Sequence, residues 1–79
     1  MREFRVRFGS FQDIQEFVAL AGTESFTILV GNDSYQVCGT SLMGMFSLDH
    51  SKPLQVMMDS SQEEFEGFRR KVEHLLVCN

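Results

Sequence analysis

The sequence predicts an α+β open-faced sandwich, a four-stranded, largely antiparallel sheet covered on one face by helices. Three observations carry this. A period-2 segment opens the chain, two stretches of helical periodicity lie toward its ends, and turn residues between two β-prone runs mark a central hairpin. Residues 1–79 read as one domain, 43% hydrophobic and 23% charged. A chain this short buries only ~60% of its unfolded surface, so it needs an efficient core. Eight Phe and five Met supply that bulk without Trp.

Phe4, Val6 and Phe8 alternate with Glu3, Arg5 and Arg7, the pattern of a half-buried strand, and Gly9 breaks it. Arg2, Arg5 and Arg7 read as the solvated face of that strand. Ser10 then caps a helix: its hydroxyl accepts from a free backbone N–H, with Asp13 three residues on, near the positive helix end. Phe11, Ile14, Phe17, Val18 and Ala21 fall on one stripe, and Gly22 reads as a left-handed stop. Phe26–Val30 and Tyr35–Cys38 flank Gly31-Asn32-Asp33-Ser34, residues that tolerate turn geometry. After Gly39, the stretch Thr40–Leu48 is too short for a long helix and too rich in Met and Leu for an ordinary loop. It reads as one or two helical turns capped by Ser41. Pro53 suits the start of a strand over Leu54–Met58.

The last helix has the strongest signals. Ser60 with Glu63 and Ser61 with Glu64 are overlapping capping-box candidates. Phe65, Phe68, Val72, Leu75 and Leu76 make its apolar stripe. Glu63, Glu64 and Glu66 lie early and Arg69, Arg70 and Lys71 late, as the helix dipole favours, and Glu66 and Arg70 form an i,i+4 pair. The predicted order is βαββαβα.

Several function classes find no support. The densest apolar run, Phe17–Ala21, is far below the ~18–20 residues of a membrane span. The N-terminal alternation of charge and hydrophobe is unlike a signal peptide, so a cytoplasmic protein without membrane insertion is expected. A net charge of −4 argues against nucleic acid, which requires clustered cations. Cys38 and Cys78 are too few for a disulfide framework. With no C-x-x-C and with His50 and His74 apart in sequence, no metal site is expected. No paired acids or nucleophile–base set can be nominated, so neither catalytic residue nor cofactor is expected and the chain reads as a non-enzyme.

Ser41-Leu42-Met43-Gly44-Met45-Phe46-Ser47-Leu48 resembles, nearly residue for residue, the S-I-M-G-V-M-S-L segment of the HPr family. These are the small phosphocarrier proteins of the bacterial sugar phosphotransferase system, and the order βαββαβα is that family's. Extended without gaps, the resemblance puts Val56 on the fourth strand and Phe17-Val18 on the first helix, and so spans essentially the whole chain. The family carries phosphate on the histidine of a G-x-H-x-R-P-like motif at the start of the first helix, where free N–H groups favour an anion. Here Ser10 stands at the histidine position, Gln12 at the arginine position and Asp13 at the proline position. A serine with no neighbouring base is a poor nucleophile, and Asp13 puts negative charge where phosphate would sit. Ser10 therefore reads as a helix cap.

The resemblance thus implies an HPr-like, non-catalytic regulatory or protein-binding relative. Ser41 matches the serine that a kinase phosphorylates in some lineages, although serine is also simply a preferred cap. Leu42 and Met43 match residues that dock partners together with the exposed side of the first helix. A helix of one or two turns cannot bury Leu42, Met43, Met45, Phe46 and Leu48 at once, which favours an exposed contact patch. The implied partners are proteins, either phosphotransferase-system components or a transcriptional regulator. The alternative is an active phosphocarrier with His50 or Ser10 as acceptor. His50, in the polar loop Asp49–Lys52, reads more simply as a solvated side chain, and His74 as a structural one near a helix C-terminus.

Overall fold

The computed structural model describes residues 2–77, so Cys78 lies outside the described residues. The elements follow in the order β1 (Arg2–Val6), α1 (Phe11–Ala21), β2 (Ile28–Gly31), β3 (Gln36–Cys38), α2 (Leu42–Phe46), β4 (Leu54–Met58) and α3 (Gln62–Lys71). A 3₁₀ turn, Glu73–Leu75, closes them. The strands form one open sheet in the order β1-β4-β2-β3, antiparallel throughout. β4 is central because its period-2 pattern buries Leu54, Val56 and Met58 while both of its backbone edges are paired. One row of inward side chains runs across all four strands in register: Phe4, Val56, Val30 and Val37. Phe17 of α1 and Phe68 of α3 meet over this row edge to face, at 5.6 Å between ring centroids, and both are fully buried. The other sheet face carries Glu3 and Arg5, both exposed, and Leu29, Gln55 and Met57, each half-buried.

The differences from the expected boundaries have local causes. β1 stops at Val6, not Phe8, because Val6 faces Leu54 and the next partner would be Pro53, which has no N–H. The chain beyond Val6 turns to the C-terminal segment instead: Arg7 N–H donates to the Leu75 carbonyl at 2.9 Å, and Val77 N–H to that of Arg5 at 3.1 Å. Phe8 is still buried, edge-on to Phe17. The pleat also puts Arg2 on the side of Phe4 and Val6, half-buried, so only Arg5 and Arg7 belong to the solvated face.

Gly22 is right-handed (φ −66°), not left-handed. The last α1 carbonyls are satisfied without a reversal, by the N–H groups of Gly22, Thr23 and Glu24 and by the Thr23 hydroxyl at 2.7 Å from the Leu20 carbonyl. Gly31 is required for a different reason. A Cβ there would lie 2.1 Å from the Tyr35 carbonyl oxygen, because the hairpin closes back over it. Asn32 holds that turn, its side-chain oxygen accepting from the N–H groups of Ser34 and Tyr35 at 2.8 and 2.9 Å.

Of the two capping boxes, Ser61–Glu64 forms, with both reciprocal hydrogen bonds present. α3 ends at Lys71, and the remainder of the predicted stripe leaves the helix: Leu75 is buried from the 3₁₀ turn and Leu76 bridges to Val6. Glu66 accepts from Gln62 rather than pairing with Arg70. Two side-chain contacts instead tie α3 and its extension to α1 and the loop after it: Lys71 forms an ion pair with Glu24 at 2.9 Å, and His74 Nε2 lies 2.6 Å from the Glu16 carboxylate.

Candidate protein-docking surface

The start of α1 is closed by the chain's own groups. Ser10 is the N-cap, its hydroxyl accepting from Asp13 N–H at 3.3 Å. The Asp13 carboxylate in turn accepts from Gly9 N–H at 2.9 Å, so an internal anion already holds a donor that an external one would need. Gln12 is exposed and makes no hydrogen bond here that would replace an arginine fork. Ser10 therefore has its hydroxyl in a capping bond, and the neighbouring Asp13 carboxylate is held by Gly9 N–H.

His50 is not the solvated side chain its polar neighbours suggest. Its ring sits edge-on to Phe8, and Nε2 lies 2.7 Å from the Met45 carbonyl, to which it donates. Nδ1 is buried and has no hydrogen-bond partner. The imidazole thus fastens the end of α2 to the loop behind it, and neither nitrogen faces solvent free of engagement. His74 lies beyond the end of α3, in the 3₁₀ turn, and its Nε2 is 2.6 Å from the Glu16 carboxylate of α1.

α2 behaves as an amphipathic element of five residues. Ser41 caps it, accepting from Gly44 N–H at 3.1 Å. Met45 is fully buried, and Leu42, three residues earlier on the same face, is half-buried against the core. Met43 and Phe46 occupy the opposite face, 85% and 42% exposed. Leu42 and Met43, adjacent in sequence, are therefore divided by the helix: Leu42 anchors α2 and Met43 is presented. Gly44 lets α2 lie close on β3, since a Cβ there would come 3.1 Å from that of Val37.

The structure brings further side chains to this place that the sequence reading did not nominate. Phe11, the first residue of α1, was expected on the core stripe but is 52% exposed. Its ring stacks on that of Phe46, centroids 5.0 Å apart and planes 14° off parallel. Tyr35, also 52% exposed, reaches from the hairpin to the end of α2, its hydroxyl 3.3 Å from that of Ser47. Phe11, Tyr35, Met43 and Phe46 are the large hydrophobic side chains left exposed among the described residues, and they gather around α2. The available signal was helical spacing: with Leu42 and Met45 facing in, Met43 and Phe46 must face out.

Cys38 lies on the edge strand, exposed, 3.2 Å from the Thr40 hydroxyl. That hydrogen bond and the Thr40 backbone hold its thiol below the usual range. The Asp49 carboxyl is likewise held low by the hydroxyl and N–H of Ser51, and so stays ionised beside the patch. Among the described residues no three metal-ligating side chains converge, and no helix is long and apolar enough to cross a membrane. No family model matches the chain, and no curated protein is significantly similar to it in sequence.

Proposed function

We propose that this chain is an HPr-like, non-catalytic protein-binding module of the cytoplasm that engages protein partners through the start of α1 and the exposed face of α2. The observation that carries this reading is the gathering of Phe11, Tyr35, Met43 and Phe46 around α2, while the other large apolar side chains among the described residues are buried wholly or in part. Exposed aromatic and methionine side chains on rigid elements are what partner surfaces use, since Met repacks against different shapes and aromatic rings give large contact area. The element order and the Ser41–Leu48 segment support the HPr likeness.

The carrier reaction gains no support from the residues at the acceptor position. Ser10 caps a helix, Gln12 replaces the arginine, and Asp13 occupies the neighbouring donor. His50 spends Nε2 on the Met45 carbonyl. Incubation with phosphoenolpyruvate and the general phosphotransferase enzyme, read by intact mass, tests this. No acid-labile phosphate is expected, and its appearance would restore the carrier reading.

Ser41 is the regulatory position of this proposal. It is exposed at the N-cap of α2, two residues before Met43, so a phosphate there would add ~−1.5 to −2 charge at the border of the patch. Treatment with ATP and the family's serine kinase, followed by mapping of the modified residue, decides its part. Phosphate elsewhere, or none, removes Ser41 from the proposal.

A further inference from the structure

We infer that the outer edge of β3 takes up an extended segment of a partner protein as an added strand of the sheet, beside α2. The inference rests on the docking reading above and adds the backbone form of the occupant.

Hydrogen-bond direction carries it. The β2–β3 ladder is bracketed by two bonds, Gly39 N–H to the Ile28 carbonyl at 2.8 Å and Asn32 N–H to that of Tyr35 at 2.9 Å. Antiparallel bonds fall on alternate residues. Between these brackets Val37 therefore turns its N–H and C=O to Val30, while Gln36 and Cys38 turn theirs out of the sheet. The Cys38 carbonyl accepts from Ser41 N–H at 3.0 Å. Among the described residues, no hydrogen bond reaches the N–H of Gln36, the N–H of Cys38 or the Gln36 carbonyl. The opposite edge of the sheet is closed by the chain itself, since the C-terminal segment bonds to β1 through Arg7 N–H and the Arg5 carbonyl. Among the described residues no segment does the same for β3. Its shield is a length of three residues; Gln36-Val37-Cys38 has no charge, no proline and an unbroken register, and so lacks the other devices that stop an edge from pairing.

These outward groups select the backbone form of whatever docks. A helix satisfies its own N–H and C=O groups along its length, whereas a strand presents unpaired donors and acceptors along its edge. The edge is continuous with the exposed side chains around α2. Exposed Tyr35 directly precedes β3, and α2, which presents Met43, lies on β3 with Gly44 against Val37. Alternate side chains of an added strand therefore run past α2, and the others past Gln36 and Cys38 on the open sheet face. A second β3 is a poorer complement: paired antiparallel about Val37, it sets Gln36 N–H against a Cys38 carbonyl that Ser41 N–H already holds.

The test follows amide exchange and resonance shifts of the full chain. In the free protein Val37 N–H should exchange slowly and the N–H groups of Gln36 and Cys38 fast; slow exchange at those two would mean a closed edge and overturn the inference. The probe is a soluble peptide of alternating valine and threonine with a lysine at each end, added at about 1 mM. It should shift Gln36, Val37 and Cys38 and slow exchange at Gln36 and Cys38. The same peptide with its amides N-methylated keeps the side chains but loses the donors, and should bind at least about tenfold more weakly. Gln36→Pro deletes an outward N–H that the ladder to β2 does not use, and Cys38→Lys puts a charge on the edge; either should abolish these effects. Equal binding of the methylated peptide, or shifts confined to Phe11, Met43 and Phe46, would overturn the strand and leave the docking reading standing. No shift at Gln36, Val37 and Cys38 with the unmethylated peptide would overturn it too. Protection at Gln36 and Cys38 with Tyr35 and Met43 unmoved would support the strand and count against the docking reading. Protection that grows with protein concentration alone would make a second copy the occupant, which also overturns the inference.

Discussion

Replacing Phe46 by Ala, with Phe17→Ala as an internal reference, separates a docking side chain from a core one. Phe46 keeps 42% of its exposure, so somewhat over half of its surface is covered. Full burial of a large apolar side chain is worth ~1.5–3 kcal/mol, which scales to about 1–1.5 kcal/mol here. The stacked contact with Phe11 adds roughly 0.5–1.5 kcal/mol, and Ala in a helix returns about 0.5 kcal/mol relative to Phe. The net loss should be about 1–2.5 kcal/mol. Phe17 is different: it is fully buried, with Phe8 and Phe68 edge-on at 5.5 and 5.6 Å, and its removal leaves a cavity costing ~3–5 kcal/mol. A domain of this size holds only ~4–12 kcal/mol in total. Urea denaturation read by far-ultraviolet circular dichroism should therefore show the Phe46 variant folded, its midpoint lower by about 1–2.5 M at a slope of ~1 kcal/mol/M. The Phe17 variant should lose most of its pretransition baseline. If Phe46→Ala destabilises as much as Phe17→Ala, the ring is a core residue and the docking reading loses its centre.

Three further perturbations test the local arguments. Gly31→Ala places a Cβ 2.1 Å from the Tyr35 carbonyl oxygen, an overlap only backbone movement can relieve, and should cost ~1–3 kcal/mol in thermal or urea denaturation; a neutral outcome would refute the required close approach. Ser61→Ala removes the capping box of α3 and should lower stability by ~1 kcal/mol, whereas Ser60→Ala, whose hydroxyl makes no hydrogen bond, should leave the helix cap intact. Asp49 has its folded-state pKa depressed by Ser51, so its contribution is present above the unfolded value of ~3.9 and fades as pH falls through the lower folded value. Acid titration of stability should thus be less steep in Asp49→Asn, and an unchanged acid limb would show that the Ser51 bonds add nothing.

Much of the fold could be read from the chain because local signals and tertiary demands agree. Leu54–Met58 alternates over its whole length behind Pro53, and it becomes an inner strand with those same bounds. Ser61 and Glu64 specify a helix start by chemistry confined to four residues, and that start forms. What could not be read depends on partners distant in sequence. β1 ends where its partner strand meets Pro53, and the C-terminal segment takes up the vacated edge. The stripe of α3 continues in composition through Leu76 although the helix stops at Lys71, since Leu75 is buried from a 3₁₀ turn and Leu76 is half-buried where it bridges to Val6. Apolar periodicity reports that a residue is covered, not which backbone state covers it.

The site was half legible for a related reason. A five-residue helix lying on a sheet edge has one face to bury, so of its four large apolar side chains Leu42 and Met45 turn in, and Met43 and Phe46 turn out. That much follows from spacing, and it sets Leu42 half-buried against the core and Met43 exposed. Phe11 could not be placed the same way, because its position on the α1 stripe is the one next to the helix start, beyond the end of the sheet's cover. There the stripe runs off the core, and Phe46 is the surface it meets. A side chain that follows a core pattern in sequence and one that spacing turns outward thereby stack on one another outside the core. A domain with so small an interior would gain more by burying them, and their joint exposure is what a partner surface requires.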